Sequence, residues 1–188
     1  MTATRHVLLA LLLLGLPLQL PAVTLKIATL SPDGTSWMRA MRAAGDDIAK
    51  RSGKRVQLRF YPGGVMGNDR SVMRKIRVGQ LQGGAVTVGA LTAIDKDIQV
   101  YGVPFLFRNY DEVDYVRKRL DERLMRGLER RGFVGFGFAE AGFAYLMSRE
   151  PVRTVDDLRA RKVWSPEGDT ISLTGFEAVG VSPITLPI

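Results

Sequence analysis

The chain has 188 residues, no cysteine and one histidine, His6. Disulfides, thiolate–zinc sites and Cys–His pairs are therefore excluded, and the body of the chain has no histidine for Ser-His-Asp, HExxH or His-cluster metal chemistry. Formal charge is +8, from 27 Lys and Arg against 19 Asp and Glu. The basic residues are dispersed, among them Arg39, Arg42, Lys50, Arg74, Arg117 and Arg130, and this describes a solvated basic surface rather than a nucleic-acid stripe.

In chain order, Arg5 and His6 precede an apolar run from Val7 to Leu16, then Pro17 and, at the end, the small residue Ala22. A basic start, a short apolar core and a small residue make a secretory signal peptide, and the run is too short to span a bilayer comfortably. Residues 1–22 are expected to be removed, leaving an exported chain from Val23. A strand is expected over Leu25–Thr29, a turn at Ser31-Pro32-Asp33-Gly34, and a helix over Ser36–Arg51. That helix would bury Trp37, Met41, Ala44 and Ile48 and stop at Gly53.

Val56, Leu58 and Phe60 alternate with polar residues as in a half-buried strand. Pro62-Gly63-Gly64 and Gly67 break it, and Asp69 is placed to cap a helix carrying Val72, Met73 and Ile76 to Gly79. Gly83-Gly84 then leads into a strand over Ala85–Val88, completing a βαβ unit whose loops could hold a small ligand. Val103–Phe107 is a compact apolar segment. A helix over Asp111–Arg131 turns Val113, Val116, Leu120, Leu124 and Leu128 inward. Strands are expected over Phe133–Phe138, Ala144–Ser148 and Lys162–Ser165. Thr154 opens a capping box, and Asp169 caps a helix through Ala178.

Taken together, the alternation is that of an α/β protein, with no repeat and no low-complexity linker. In such folds the loops at the carboxyl ends of parallel strands are the best place for a site. That rule selects Ser31, Thr35 and Trp37 after the first strand, Asp69 after the glycine turn, and Gly89, Ala90 and Thr92 after the third strand. It also selects Pro166, Gly168 and Asp169, which follow Trp164. Each has a plainer explanation. Ser31, Thr35 and Asp69 fit as helix caps, Trp37 as core, and Gly89 as a turn residue. Asp69 and Glu140 could act as acid and base, but nothing spaces them into a recognisable pair.

Several ordered segments resemble one family. They are LKIATLSPDGTSW, FYPGGVMGND, RVGQLQGGAV, VPFLFRNYDEV, SREPVRTVDDLRARKVW and FEAVGVSPITLP. In this order they are similar to the solute-binding receptors of tripartite ATP-independent periplasmic (TRAP) transporters, the DctP-like family, over nearly the whole mature chain. The resemblance implies a two-lobed periplasmic-binding-protein-like fold of type II that closes over its ligand by hinge motion. It implies no catalysis and no cofactor. The expected partners are a small-molecule ligand and TRAP membrane subunits in the periplasm, with no nucleic acid. Residues 23–143 would form lobe I and 144–188 the start of lobe II, so the chain is expected to be truncated within the second lobe.

One departure from the family's wording bears on the ligand. The resemblance places a carboxylate-binding arginine in the strand after the DLKG-like turn; here the pattern is Lys162-Val163-Trp164-Ser165, with tryptophan at that position. Some members carry a second arginine earlier, where Phe143-Ala144 stand here. Two apolar replacements suggest a cleft for a more hydrophobic solute, with Trp164 as wall or stacking platform and backbone amides at the Asp169 helix start as carboxylate receivers. The alternative is that Trp164 is core and another basic residue binds the acid. The KVWSPEGD wording is similar to that of a subgroup associated with tetratricopeptide-repeat partner proteins and apolar ligands. An exported enzyme and a non-transport interaction or lipid-binding protein of the same fold are the competing readings.

Overall fold

The computed structural model describes residues 21–186. The apolar core of the expected signal segment lies outside the described residues.

Strand β1 (Val23–Thr29) runs between β2 (Val56–Tyr61) and β3 (Gly83–Ala85), parallel to both. The register pairs Val23 with Val56 and Ala28 with Tyr61 on one side, and Ile27 with Gly83 and Thr29 with Ala85 on the other. Helix α1 (Ser36–Arg51) connects β1 to β2, and α2 (Asp69–Arg77) connects β2 to β3. Ala28, Val72 and Leu81 form the buried centre, flanked by Tyr61, Met66, Ile76 and Val86.

The inward face of α1 differs from the expected one by about one residue. Met38 and Gly45 are buried and Met41 half-buried, whereas Ala44 and Ile48 face solvent and Trp37 is half-buried. The physical cause is Gly45: a side-chain carbon there would lie 3.2 Å from the Phe60 ring, so the helix packs closest to the sheet through its smallest residue.

The third strand begins two residues earlier than expected. Gly83 and Gly84 belong to the ladder, where added Cβ atoms would lie 2.9 Å from Ile27 Cδ1 and 2.8 Å from Val72 Cγ1. These glycines permit close layering instead of breaking the strand. Val88, expected at the strand's end, instead opens the short helix α3 (Val88–Thr92).

A 3₁₀ helix (Lys96–Gly102) leads to α4 (Tyr110–Glu129). Ile98, Leu124 and Leu128 form a second buried cluster with Leu91, Val100, Tyr101, Phe133 and Phe138 around it, so the expected inward face of α4 holds. Buried Asp95 accepts a hydrogen bond from Arg131 at 2.9 Å over the surface of Gly127. Val103–Phe107 is not core: Phe105 is fully exposed, in the left-handed region at φ 61°, and only Phe107 of its two rings stacks on Tyr101.

Residues 133–148 form no ladder, contrary to the two strands expected there. Phe133 and Phe138 pack on α4, while Val134, Phe136, Tyr145 and Met147 point to solvent. Alternating hydrophobicity produces a strand only where the backbone pairs with a neighbour, and residues 133–148 pair with no described strand. The segment is fastened at both ends. Arg117 of α4 donates to the Phe138 carbonyl at 2.8 Å and pairs with Asp121 and Glu140, while Glu150 pairs with Arg161.

Beyond it, α5 (Val155–Arg159) starts with the expected capping box: Thr154 Oγ1 accepts from the Asp157 amide at 3.1 Å, and Asp157 accepts from the Thr154 amide at 2.9 Å. Bonds from the Arg153 amide and from Thr154 hold the Asp157 carboxyl below its usual pKa. Strand β4 (Trp164–Pro166), two residues later than expected, pairs in parallel with β5 (Ile184–Leu186) across α6 (Thr170–Ala178). Asp169 is the N-cap of α6, as its position suggests.

Two glycines in helices give opposite expectations. In Gly127→Ala the new carbon would lie 2.1 Å from Asp95 Oδ2, so the variant should lose about 2 kcal/mol or more in urea denaturation. Gly175→Ala in α6 meets nothing within 4 Å and should gain about 0.5–1 kcal/mol.

Candidate functional site: a cleft at the carboxyl ends of two sheets

Because β1, β2 and β3 are parallel, the loops after each emerge at one edge. The Gly63 amide donates to the Ser31 carbonyl at 2.9 Å and the Gly64 amide to the Thr29 carbonyl at 3.1 Å, binding the first two loops together. Both glycines have positive φ, 66° and 72°, a backbone shape that side-chain-bearing residues adopt at a cost. Ser31 and Thr35 sit in this rim. Thr35 is the N-cap of α1, accepting from the Met38 amide at 3.2 Å, and its hydroxyl lies 3.2 Å from that of Ser31.

Asp69 is not a helix cap. Asn68 takes that position and accepts from the Ser71 amide at 3.1 Å. Asp69 instead reaches the loop after β3, accepting from the Thr87 amide at 2.8 Å and the Thr87 hydroxyl at 2.6 Å. Thr87, which sequence patterning did not single out, thereby ties the second loop to the third.

Gly89 does not serve turn geometry, since it lies in α3 without a positive φ. An added Cβ there would lie 3.4 Å from the Gly168 carbonyl, in the loop between β4 and α6. Around this approach Gln99 donates to the Thr170 hydroxyl at 3.3 Å, and Arg70 of α2 pairs with Glu167 at 3.0 Å. The β4–α6 loop therefore meets α2 and α3, the helices that follow β2 and β3, and the 3₁₀ helix beyond them. Ala90 and Thr92 lie further along α3, half-buried.

Trp164 is half exposed on β4, so it is not core. Its neighbour Ser165 is buried, and the Ser165 hydroxyl has no hydrogen-bond partner. Phe143 lies against Tyr110 at the start of α4, ring centroids 5.2 Å apart; this is its aromatic partner among the described residues. At the helix start at Asp169, where amides are expected to receive a carboxylate, the Ser172 amide is already taken. The Asp169 carboxylate itself accepts from the Ser172 amide at 3.0 Å and the Ser172 hydroxyl at 2.6 Å, and its charge repels a second carboxylate.

A separate cavity of about 640 Å³, lined by Val100, Leu106, Phe107, Tyr115, Val116 and Leu120 with Asp111 and Glu112 at its rim, opens beside α4. None of the candidate residues lines it, and it is open and mostly apolar. Among the described residues no cluster of acidic or imidazole side chains could hold a metal.

Asp69→Ala should free Thr87, speeding exchange of its amide hydrogen at least tenfold and costing about 1–2 kcal/mol. Asp69→Asn, which keeps one acceptor oxygen, should fall between. Hydrogen-exchange mass spectrometry across residues 83–92 checks both.

Comparison with known proteins agrees with this geometry. The model of the bacterial extracellular solute-binding protein family 7 (DctP) matches residues 27–188. The chain is 24% identical over 150 residues to the uncharacterized protein YiiZ of Salmonella typhimurium, covering 78% of this chain and 46% of that one. It is 22% identical over 132 residues to the C4-dicarboxylate-binding periplasmic protein DctP of Shewanella loihica, covering 70% and 39%. Among solved structures it is similar to a TRAP periplasmic solute-binding protein of Xanthobacter autotrophicus Py2 with bound β-D-galacturonate (TM-score 0.80, 20% identity, 87% of this chain and 55% of that one). It is also similar to one of Sulfurospirillum deleyianum with bound succinate (TM-score 0.78, 20% identity, 90% and 55%). The chain spans about half the length of the curated relatives it matches. By the family match over residues 27–188, this chain belongs to the bacterial extracellular solute-binding proteins of family 7, the DctP family.

Proposed function

We propose that this chain is the solute-capturing part of a periplasmic TRAP receptor, exported by residues 1–22, which binds a small carboxylate-bearing molecule and hands it to membrane subunits. The observation that carries this reading is the junction where α2 and α3, which follow β2 and β3, meet the β4–α6 loop, with the loop after β1 bonded to the loop after β2. It supplies hydroxyls, backbone groups and one broad aromatic face without a nucleophile–base pair, as suits a group that holds a solute and leaves it unchanged. Residues 23–143 make lobe I and 144–188 the opening of lobe II. Relatives that bind C4-dicarboxylates, succinate or β-D-galacturonate point to an acid.

Trp164 points to an acid with an apolar body. A half-exposed indole offers a wide dry face to an alkyl chain or ring, and it gives a carboxylate no charge. Phe143, Ser31, Thr35, Trp37, Asp69, Gly89, Ala90, Thr92, Gly168 and Asp169 are proposed as the surrounding wall. A tetratricopeptide-repeat partner rests on the wording of residues 162–169 alone, and co-purification from the native host tests it.

Native mass spectrometry of the intact protein purified from its host should find a small acid bearing an aliphatic or aromatic portion. Trp164→Arg should then weaken that acid at least tenfold and strengthen a short dicarboxylate such as succinate, read by titration calorimetry. A bound sugar acid or short dicarboxylate in the unaltered protein would overturn the apolar selection and leave the receptor. Chemical turnover of the bound compound would overturn the receptor reading itself.

A further inference from the structure

We infer that Arg70 is the carboxylate-receiving group of this cleft, and that Glu167 occupies it as a built-in counter-ion until a solute displaces it. The inference rests on the receptor reading above and names the group that does the anchoring.

Four ionised side chains meet around the junction of the two sheets. Asp69, Glu167 and Asp169 are anionic, and Arg70 is the cation. Asp69 accepts twice from Thr87 at Oδ2, and Asp169 accepts from Ser172 at both of its oxygens. Neither acid leaves the junction attractive to a carboxylate, and Trp164 brings no charge. Arg70 lies in the first turn of α2, where the exposed amides already make the potential positive and a cation is disfavoured unless an anion stands before it. Asp69 opens the same turn but is turned to Thr87, and the carboxylate that stands against Arg70 is Glu167, one guanidinium nitrogen lying 3.0 Å from one carboxylate oxygen.

The pair has the properties of a displaceable contact. The Arg70 side chain is 73% exposed and that of Glu167 34%, so solvent weakens their attraction and little holds the pair against competition. Among the described residues this is the one ion pair of Arg70, and its other guanidinium donors can meet a carboxylate in the two-pronged fashion that favours arginine over lysine. Glu167 follows Trp164 by three residues, so the two lie within about 10 Å along the chain. A solute with its apolar body on Trp164 can thus bring a carboxylate to Arg70 by pushing Glu167 aside.

Competition fixes the signs. Removing the Glu167 charge should strengthen acids, whereas removing Arg70 should weaken them. The intact protein and its Arg70→Gln, Arg70→Lys and Glu167→Gln variants are titrated with D-glucuronate, succinate, octanoate and indole-3-acetate. Octanamide serves as the uncharged control, and melting temperatures are recorded for each protein. The expected result, for whichever acids bind, is a loss of tenfold or more in Arg70→Gln, a smaller loss in Arg70→Lys and a gain of three- to tenfold in Glu167→Gln. Octanamide should respond to none of these changes, and melting temperatures should stay within about 2 °C because the pair is exposed. Equal acid affinities in all four proteins would overturn the role of Arg70 while leaving the receptor intact. A weakening in Glu167→Gln would make the ion pair a supporting contact and overturn the displacement. Failure of all four acids to bind either the unaltered protein or Glu167→Gln would overturn the acid-receptor reading together with this one.

Discussion

Parallel pairing of β1 with both of its neighbours is the constraint on which the rest depends. It forces each connection to cross over through a helix and return to the same edge, so three loops far apart in sequence converge. Everything proposed about the cleft follows from that convergence. The hydrogen bonds from Gly63 and Gly64 into the first loop, and from Thr87 to Asp69, then fix the loops against one another. The rim is thus a preformed polar surface, stiffened by bonds within itself, whose remaining capacity lies in the side chains that reach beyond it.

The second sheet contributes from the opposite direction and with different chemistry. Its β4–α6 loop presents backbone at Gly168 and charge at Glu167, and Trp164 lies half exposed at the amino end of β4. Contact between the halves is light: a glycine against a carbonyl, an amide on a hydroxyl, and an exposed ion pair. None of these is strong enough to weld the surfaces. Such a junction is suited to opening and closing, because the free-energy difference between the two states stays within what a small solute can supply.

The elements with strong periodicity were legible in the sequence. Helix α4 buries the residues its spacing selects, and the capping box at Thr154 and the cap at Asp169 form as their local chemistry requires. The misreadings share a cause, which is that they turn on partners distant in the chain. Gly45, Gly83 and Gly84 look like weak points until Phe60, Ile27 and Val72 are brought against them. Asp69 looks like a cap because its true partner, Thr87, belongs to another loop. The alternation over 133–148 looks like strand because sequence carries no information on whether an edge is within reach. Likewise the Arg70–Glu167 contact joins two unremarkable surface charges, and only the topology makes them neighbours. The resemblance to TRAP receptors identified the family and its lobed plan, because ordered motifs survive divergence; it did not identify these pairings, which belong to this chain.

The fastening of the extended segment bears on mechanics. Arg117 holds it at Phe138 and Glu140, and Arg161 holds it at Glu150. Between those two anchors the backbone has no ladder to resist it, yet its contour is finite: from Glu140 to Glu150 it can extend to roughly 35 Å and no further. It is a leash. Whatever separation the β4–α6–β5 unit takes from the first sheet, this stretch of chain bounds it, so the two surfaces keep a high effective concentration for one another within the same molecule.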